Sequence, residues 1–189
     1  KTFVTTEDVE IAEIASKAGA TILFRPRCLA GDDSQMPEVC HFALRQIIHD
    51  PNIGMPETVV ILTPTTPLRT YEHINEAISR YKKAKAISGA RSVFAGSVDK
   101  RFHWKLDKLF IVIPDHDEPR SRLGRQDTDS WLIEESGAIY VVGADDYARE
   151  RDFRLSPFSV YLMPKEDSLD IDEPADLVEA EKRMKARIV

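Results

Sequence analysis

The sequence predicts an α/β fold with a mostly parallel central sheet flanked by helices. Short apolar runs alternate with longer stretches of helical period, the order expected when helical crossovers join the strands of a sheet. Thr58-Val59-Val60-Ile61-Leu62 is apolar on both faces, as a strand buried within a parallel sheet is. A length of 189 residues, 42% hydrophobic and 31% charged, suits a single globular domain over 1–189. Such a domain buries roughly 70% of the surface its unfolded chain exposes.

The elements follow in order. Thr2 to Thr5 reads as a short strand. Thr6-Glu7-Asp8 supplies a hydroxyl N-cap and carboxylates at the positive end of a helix dipole. Val9, Ile11, Ala12, Ala15 and Ala18 then recur near helical spacing until Gly19. Ala20 to Phe24 is a second strand, broken by Arg25-Pro26, and a loop runs to Met36. Pro37 opens a helix through Val39, Phe42, Ala43, Ile47 and Ile48, which Asp50-Pro51-Asn52 ends. The strand at 58–62 leads through a proline-stiffened turn to a helix from Thr70 to Lys85, with Ile74, Ala77, Ile78 and Tyr81 on one face. Ser92 to Val98 is a further strand. Residues 100–126 are rich in charge and lack a helical period around the short apolar run Leu109–Ile113. They read as an excursion from the sheet, a hairpin being one form it can take. Ala138 to Val142 resumes a buried strand and Val160 to Met163 forms another. Pro174 to Ile188 is a closing helix with Leu177, Ala180 and Met184 on one stripe.

Lys plus Arg is 26 against 32 for Asp plus Glu, a net charge of -6 that argues against nonspecific nucleic-acid binding. Cys28 and Cys40 belong to no CxxC or Cys/His cluster, so zinc has no support and two free thiols in a reducing compartment are expected. No apolar run approaches 18 residues and no signal-peptide pattern is present, so the expectation is a cytoplasmic chain without a membrane span. The 8 glycines, about 4% against a usual level of about 7%, leave little room for a long glycine-rich phosphate loop. The chain opens on Lys1 with strand-like sequence already under way, which leads us to expect that it begins inside a longer polypeptide. GxSxG, HExxH and GxxxxGK[ST] are all missing, so covalent serine or cysteine hydrolysis has no support.

Ligands of a parallel sheet sit beyond the carboxyl ends of its strands. That rule selects Thr63-Pro64-Thr65-Thr66-Pro67-Leu68-Arg69, whose hydroxyls and Arg69 could face a polar or anionic ligand. The same residues also suit a rigid strand-to-helix loop with Thr70 as N-cap. The loop after the second strand, Leu29-Ala30-Gly31-Asp32-Asp33-Ser34, carries ordinary turn chemistry but follows a strand at the same edge. Asp170 and Asp172 fall on one side of an extended chain. Two such carboxylates repel unless a cation lies between them, and oxygen ligands suit Mg²⁺. Asp172 and Glu173 would equally cap a helix opening at Pro174, and both roles can hold at once. Arg120-Ser121-Arg122-Leu123-Gly124-Arg125 is a local basic cluster that suits phosphate or carboxylate, or a solvated loop.

In this order the segments resemble the acylneuraminate cytidylyltransferases, or CMP-sialic acid synthetases. The residues that carry the resemblance are Val4-Thr5-Thr6-Glu7-Asp8 with Ile11-Ala12, Arg25-Pro26, and Leu29-Ala30-Gly31-Asp32-Asp33-Ser34. They continue through Pro64-Thr65-Thr66-Pro67-Leu68-Arg69, Arg125-Gln126-Asp127, Gly137-Ala138-Ile139-Tyr140, Tyr161-Leu162-Met163-Pro164, and Ser168-Leu169-Asp170-Ile171-Asp172 with Asp176. The resemblance implies a nucleotide-diphospho-sugar transferase-like (Rossmann-like) fold. It implies CMP transfer from CTP to the anomeric hydroxyl of a nonulosonic, sialic-type acid, with release of pyrophosphate and dependence on Mg²⁺. By match to the motifs, Asp170 and Asp172 would hold the metal, Asp172 with a catalytic role. Arg25, Ala30 and Ser34 would surround the cytidine. Thr63, Thr65, Thr66, Arg69, Gln126, Ser136 and Gly137 would face the sugar. Lys105 and Arg125 would be catalytic residues on a dimerisation segment at 100–126, reaching the partner's site in a homodimer. Thr63 stands where the family usually has glutamine and Ser136 where it has asparagine, so an acid other than N-acetylneuraminate fits as well. The family's opening strand and basic, glycine-rich loop of the type Ala-Arg-Gly-Gly-Ser-Lys are not among these residues. The alternatives are a relative using another nucleotide or sugar, and a non-catalytic dimeric sugar- or nucleotide-binding homologue.

Overall fold

The structure, a computed structural model, describes residues 1–99, 104–106, 108, 112–114 and 132–187. Its elements are β1 (Phe3–Thr6), α1 (Val9–Lys17), β2 (Thr21–Phe24), α2 (Met36–His49), β3 (Thr58–Ile61), α3 (Tyr71–Ser88) and β4 (Ser92–Asp99). They continue with β5 (Trp104–Leu106), β6 (Val112–Pro114), β7 (Leu132–Gly143), α4 (Ala144–Glu150), β8 (Phe158–Leu162) and α5 (Pro174–Arg187). Short 3-10 turns lie at Arg27–Leu29 and Lys165–Asp167.

The main sheet has the order β3-β7-β4-β8. β4 and β8 are parallel, and β3 points the same way, because β3 and β4 each run antiparallel to the β7 between them. Three of its four strands are therefore co-directional, as expected, and β7 is the reversed one. β7 also begins at Leu132, six residues before the strand expected at 138–142. β1 and β2 pair in parallel as a separate two-stranded sheet. β5 and β6 pair antiparallel, with Lys105 opposite Ile113, which is the pairing expected of a hairpin in the charge-rich excursion. Apart from Lys108, the rest of 100–126, including Arg125 and Gln126, lies outside the described residues.

The second half of β7, Ala138–Val142, is apolar on both faces because it is covered on both. Alternate side chains along a strand point to opposite faces. Ile139 and Val141 pack with Ala77 and Tyr81 of α3. Tyr140 and Val142 pack with Leu44 of α2, Tyr147 of α4, Phe153 and Leu155. Ile139, Val141 and Val142 are each 0% exposed, and burying one such side chain stabilises by roughly 1.5–3 kcal/mol. Two layers of helix thus hold the middle of the sheet rigid, and its ends carry the polar residues.

Two helix ends differ from the expectation. Asp8, not Thr6, caps α1: its carboxylate accepts the Ile11 N–H at 2.9 Å, while the Thr6 hydroxyl accepts the Asp8 N–H at 3.1 Å. Of the residues spaced for burial on α1, Ala12 is covered whereas Val9 and Ile11 are exposed, because the helix rests on the narrow β1–β2 pair. α3 runs on to Ser88, past the expected Lys85, until Gly89 enters the left-handed region at φ 67° and its N–H caps the Lys85 carbonyl. α4 carries no clear periodic signal over its seven residues and was not expected. α5 buries Ala180 but leaves Leu177 and Met184 about half exposed.

Candidate functional site

Because β7 is reversed, its amino-terminal half lies at the same end of the sheet as the carboxyl ends of β3, β4 and β8. Glu134, Glu135 and Ser136 of β7 line a cleft of about 830 Å³ together with Ser97 of β4 and the segment after β8. That segment contributes Lys165, Glu166, Ser168, Leu169, Asp170 and Asp172, and α5 contributes Asp176, Arg183, Ala186 and Arg187. A smaller cleft of about 340 Å³, lined by Phe94, Asp152, Arg154 and Phe158, shares Glu135 with it.

Asp170 lies at the meeting point of three segments. Gly137 sits at φ 69°, and a Cβ there would lie 3.8 Å from Asp170 Oδ2 and 4.0 Å from Thr63 Oγ1. A positive φ favours glycine, and the lack of a side chain leaves open the space between Thr63 and Asp170. Asp170 Oδ1 is buried without a hydrogen-bond partner. A buried, unpaired carboxylate oxygen is costly unless something else satisfies it. Asp172 is exposed, and its carboxylate has no partner among the described residues. Asp176, at the third position of α5, accepts the backbone N–H groups of Asp172 and Glu173 at 3.2 and 2.9 Å. The helix end is thus served by Asp176, and the Asp172 carboxylate is left free of capping. Among the described residues no group of three or more His, Cys, Asp and Glu side chains could hold a metal. The Asp170–Asp172 pair supplies two oxygen-bearing groups, and a hard cation there would draw its remaining ligands from a bound anion and water.

The loop after β3 is held from within. Thr63 Oγ1 donates to the Gly137 carbonyl at 3.1 Å and lies 2.7 Å from Thr66 Oγ1. Arg69 Nη1 donates to the Thr63 carbonyl at 2.7 Å and the Thr66 carbonyl at 2.5 Å. Burial pulls the Arg69 pKa down, yet a guanidinium stays charged. Thr66 is fully buried and Thr65 exposed. The Thr65 carbonyl accepts the Ile171 N–H at 2.9 Å, which joins this loop to the aspartate segment. Ser136 is buried, donating to the Ala95 carbonyl at 3.0 Å and accepting the Ala138 N–H at 3.4 Å. The hydroxyls of Thr63 and Ser136 are therefore both turned to backbone partners.

The structure brings Thr63, Ser136, Gly137 and Asp170 together, with Asp172 on the cleft wall. Arg25, Ala30 and Ser34 lie at and beyond the end of β2, in the other sheet, and do not line the cleft. Arg25 Nε donates to Glu7 Oε2 at 2.7 Å, and this bond holds the Glu7 carboxyl below its usual range. Lys105 is described by its backbone in β5. Sequence reasoning missed Glu134, Glu135, Lys165 and Arg187. Glu135 accepts the Tyr140 hydroxyl, and burial with this bond pushes the phenol pKa up. Lys165 pairs with Glu134 at 3.2 Å at the mouth of the cleft. A reversed β7 would have pointed to the two glutamates, but an apolar run does not report strand direction.

Comparison with known proteins agrees with this fold. No protein-family profile matches the chain. It is 30% identical over 176 residues to the N-acylneuraminate cytidylyltransferase of Escherichia coli O18:K1:H7, covering 93% of this chain and 40% of that protein. It is 28% identical over 182 residues to the enzyme of the same name from Streptococcus agalactiae serotype V. It is also 25% identical over 192 residues to the CMP-N,N'-diacetyllegionaminic acid synthase of Legionella pneumophila, covering 96% of this chain and 76% of that one. The chain thus spans about two fifths of the length of the N-acylneuraminate cytidylyltransferases it matches. Among solved structures, a CMP:2-keto-3-deoxy-manno-octonic acid synthetase complexed with CTP superposes with a TM-score of 0.61 at 9% identity, over 98% of this chain and 80% of that chain. The 4-diphosphocytidyl-2C-methyl-D-erythritol synthase of Anaerococcus prevotii does so with a TM-score of 0.61 at 13% identity, over 93% and 76%. These two carry the nucleotidyltransferase fold alone. Over the length the sequence matches cover, the chain is similar to N-acylneuraminate cytidylyltransferases at 28–30% identity and to a CMP-N,N'-diacetyllegionaminic acid synthase at 25%.

Proposed function

We propose that the protein transfers CMP from CTP to the anomeric hydroxyl of an acidic keto-sugar of the nonulosonic class. The observation that carries this reading is the buried, unpartnered Oδ1 of Asp170, placed where Thr63, Gly137 and the cleft converge. Asp170 and Asp172 would hold Mg²⁺. When bound, that ion supplies neutralisation of the triphosphate charge. In the transfer, the sugar hydroxyl oxygen forms a bond to the α-phosphorus in line, the bond to the departing pyrophosphate breaks, and the hydroxyl proton is lost. Such chemistry depends on positioning and charge more than on covalent help.

The chain's own residues serve these needs from the rims of the cleft. The loop 63–69 would face the sugar as a rigid wall, since Arg69 and Thr66 brace it from behind. Gly137 leaves room for close approach of the acceptor. Arg25, Ala30 and Ser34 would lie toward the cytidine, and Gln126 toward the sugar. We place the protein in the cytoplasm as a homodimer in which 100–126, with Lys105 and Arg125, would reach the partner's sugar site. Among the described residues no helix is long and apolar enough to cross a membrane.

The test is pyrophosphate release by the complete polypeptide from CTP and Mg²⁺ with a panel of nonulosonic acids, legionaminate- and pseudaminate-type acids included. Release with one acid and CTP supports the reading. No release with any acid in the panel overturns it, and thermal stabilisation by GTP in preference to CTP would redirect it to another nucleotide.

A further inference from the structure

Resting on that reading, we propose that Arg187, Asp167 and His73 form a latch that fixes the separation of the two loops of the site, making them positioning residues for the transfer. The loop after β3 carries Thr63 to Arg69, and the loop after β8 carries Asp170 and Asp172. They meet first through the Ile171 N–H and the Thr65 carbonyl. They meet a second time through Arg187, the last residue of α5. Its Nη1 donates to the Leu68 carbonyl at 2.5 Å and its Nη2 donates to Asp167 Oδ1. Asp167 Oδ2 faces His73 Nε2 at 3.5 Å. His73 Nδ1 accepts the Thr70 N–H at 3.1 Å, so the hydrogen-bond network assigns the ring proton to Nε2, directed at Asp167.

The chemistry of the three residues suits a clamp. A guanidinium fork can hold two partners at a fixed angle, which an ammonium cannot do. The side chains of Asp167 and His73 are only 15% and 12% exposed, so their contact is sheltered from water, while Arg187 is 39% exposed. Leu68 is 1% exposed and cannot shift without disturbing packing. Leu68 lies three residues after Thr65, and Asp167 lies three before Asp170. Arg187 therefore spans the two loops just outside the groups assigned to sugar and metal. Displacement of reacting groups by about 1 Å can cost on the order of 100-fold in rate, so a second tie between the loops bears on turnover.

The test uses the complete polypeptide with Arg187→Gln, Asp167→Asn, the double variant and Arg187→Lys. Amide hydrogen exchange at Ile171 is read beside kcat and KM. Each single variant is expected to speed Ile171 exchange about tenfold or more while amides of β4 and β7 keep their original rates. kcat is expected to fall about tenfold with KM for CTP within about twofold. The double variant should lose no more than either single one, because both cut the same link. Arg187→Lys should recover part of the loss. Unchanged exchange at Ile171 overturns the latch, as does acceleration spread evenly over β4 and β7, or losses that add in the double variant. The exchange arm needs no turnover, so a protein that transfers no CMP would sink the functional reading while the latch is still decided.

Discussion

Arg69 donates through a single nitrogen, Nη1, to the carbonyl oxygens of both Thr63 and Thr66. The residue is thus partly a brace for the loop that carries it. Truncation to alanine would take a charged donor away from two carbonyls at a partly buried bend, leaving that of Thr63 only the longer bond from the Thr66 hydroxyl at 3.5 Å, and each hydrogen bond lost to a charged group costs about 1.5–3 kcal/mol. Arg69→Ala is expected to destabilise the protein by about 2 kcal/mol or more in urea unfolding, and Arg69→Lys by about half as much.

The aspartates of the cleft should separate cleanly by role. Asp172 is exposed and bonds to nothing that holds the fold, so Asp172→Asn is expected to leave stability within about 0.5 kcal/mol while abolishing turnover of the complete polypeptide. Unchanged activity would remove the metal assignment. Asp176→Ala removes the acceptor of two backbone N–H groups at the start of α5 and should cost about 0.5–2 kcal/mol of stability in the same unfolding measurement.

Two thiols with different surroundings predict a simple titration. Cys28 is exposed. Cys40 is partly covered, and burial pushes its thiol pKa up to about 11. The thiolate is the reactive form, so at pH 8 about one Cys40 in a thousand is ionised. A thiol reagent at that pH should modify one cysteine quickly in the native protein and two in denaturant. Cys40 should become reactive only as the pH rises toward 11, provided the fold persists.

Gly96 is predicted to be irreplaceable. It sits where the register of β4 on β7 shifts between Phe94 and Gly96. A Cβ there would fall 2.6 Å from Ile133 Cγ2 and 2.9 Å from the Glu134 carbonyl oxygen, and the latter belongs to the backbone and cannot swing away. Gly96→Ala should cost about 1–3 kcal/mol. Gly31→Ala meets nothing within 4 Å and serves as the control, expected within about 0.5 kcal/mol.

Much of this architecture was legible in the sequence. The 58–62 run and the 3.6-residue spacing of Ala77 and Tyr81 report burial, and burial is what the core required of them. The Asp170–Asp172 pair was legible because two carboxylates on one side of an extended chain need an explanation in any fold. Strand direction was not legible. A central strand is apolar on both faces whichever way it runs, so the reversal of β7 left Glu134 and Glu135 without a signal. The uncovered face of α1 was equally hidden, since spacing identifies which residues share a face and not whether another element arrives to bury it. The motif order singled out the loops 63–69 and 168–172, which the Ile171 N–H and the Thr65 carbonyl join, while the tie through Arg187 depends on a contact between residues 119 positions apart that no local pattern reveals.

The pairing of Asp99 with Leu132 has a further consequence. β4 ends and β7 begins at directly paired positions, so the two strand ends stay side by side whatever the length of chain between them. Lengthening a flexible connection between paired strand ends costs only about 0.6 kcal/mol for each doubling of its length. The sheet register stays set by β4 and β7, whatever is inserted.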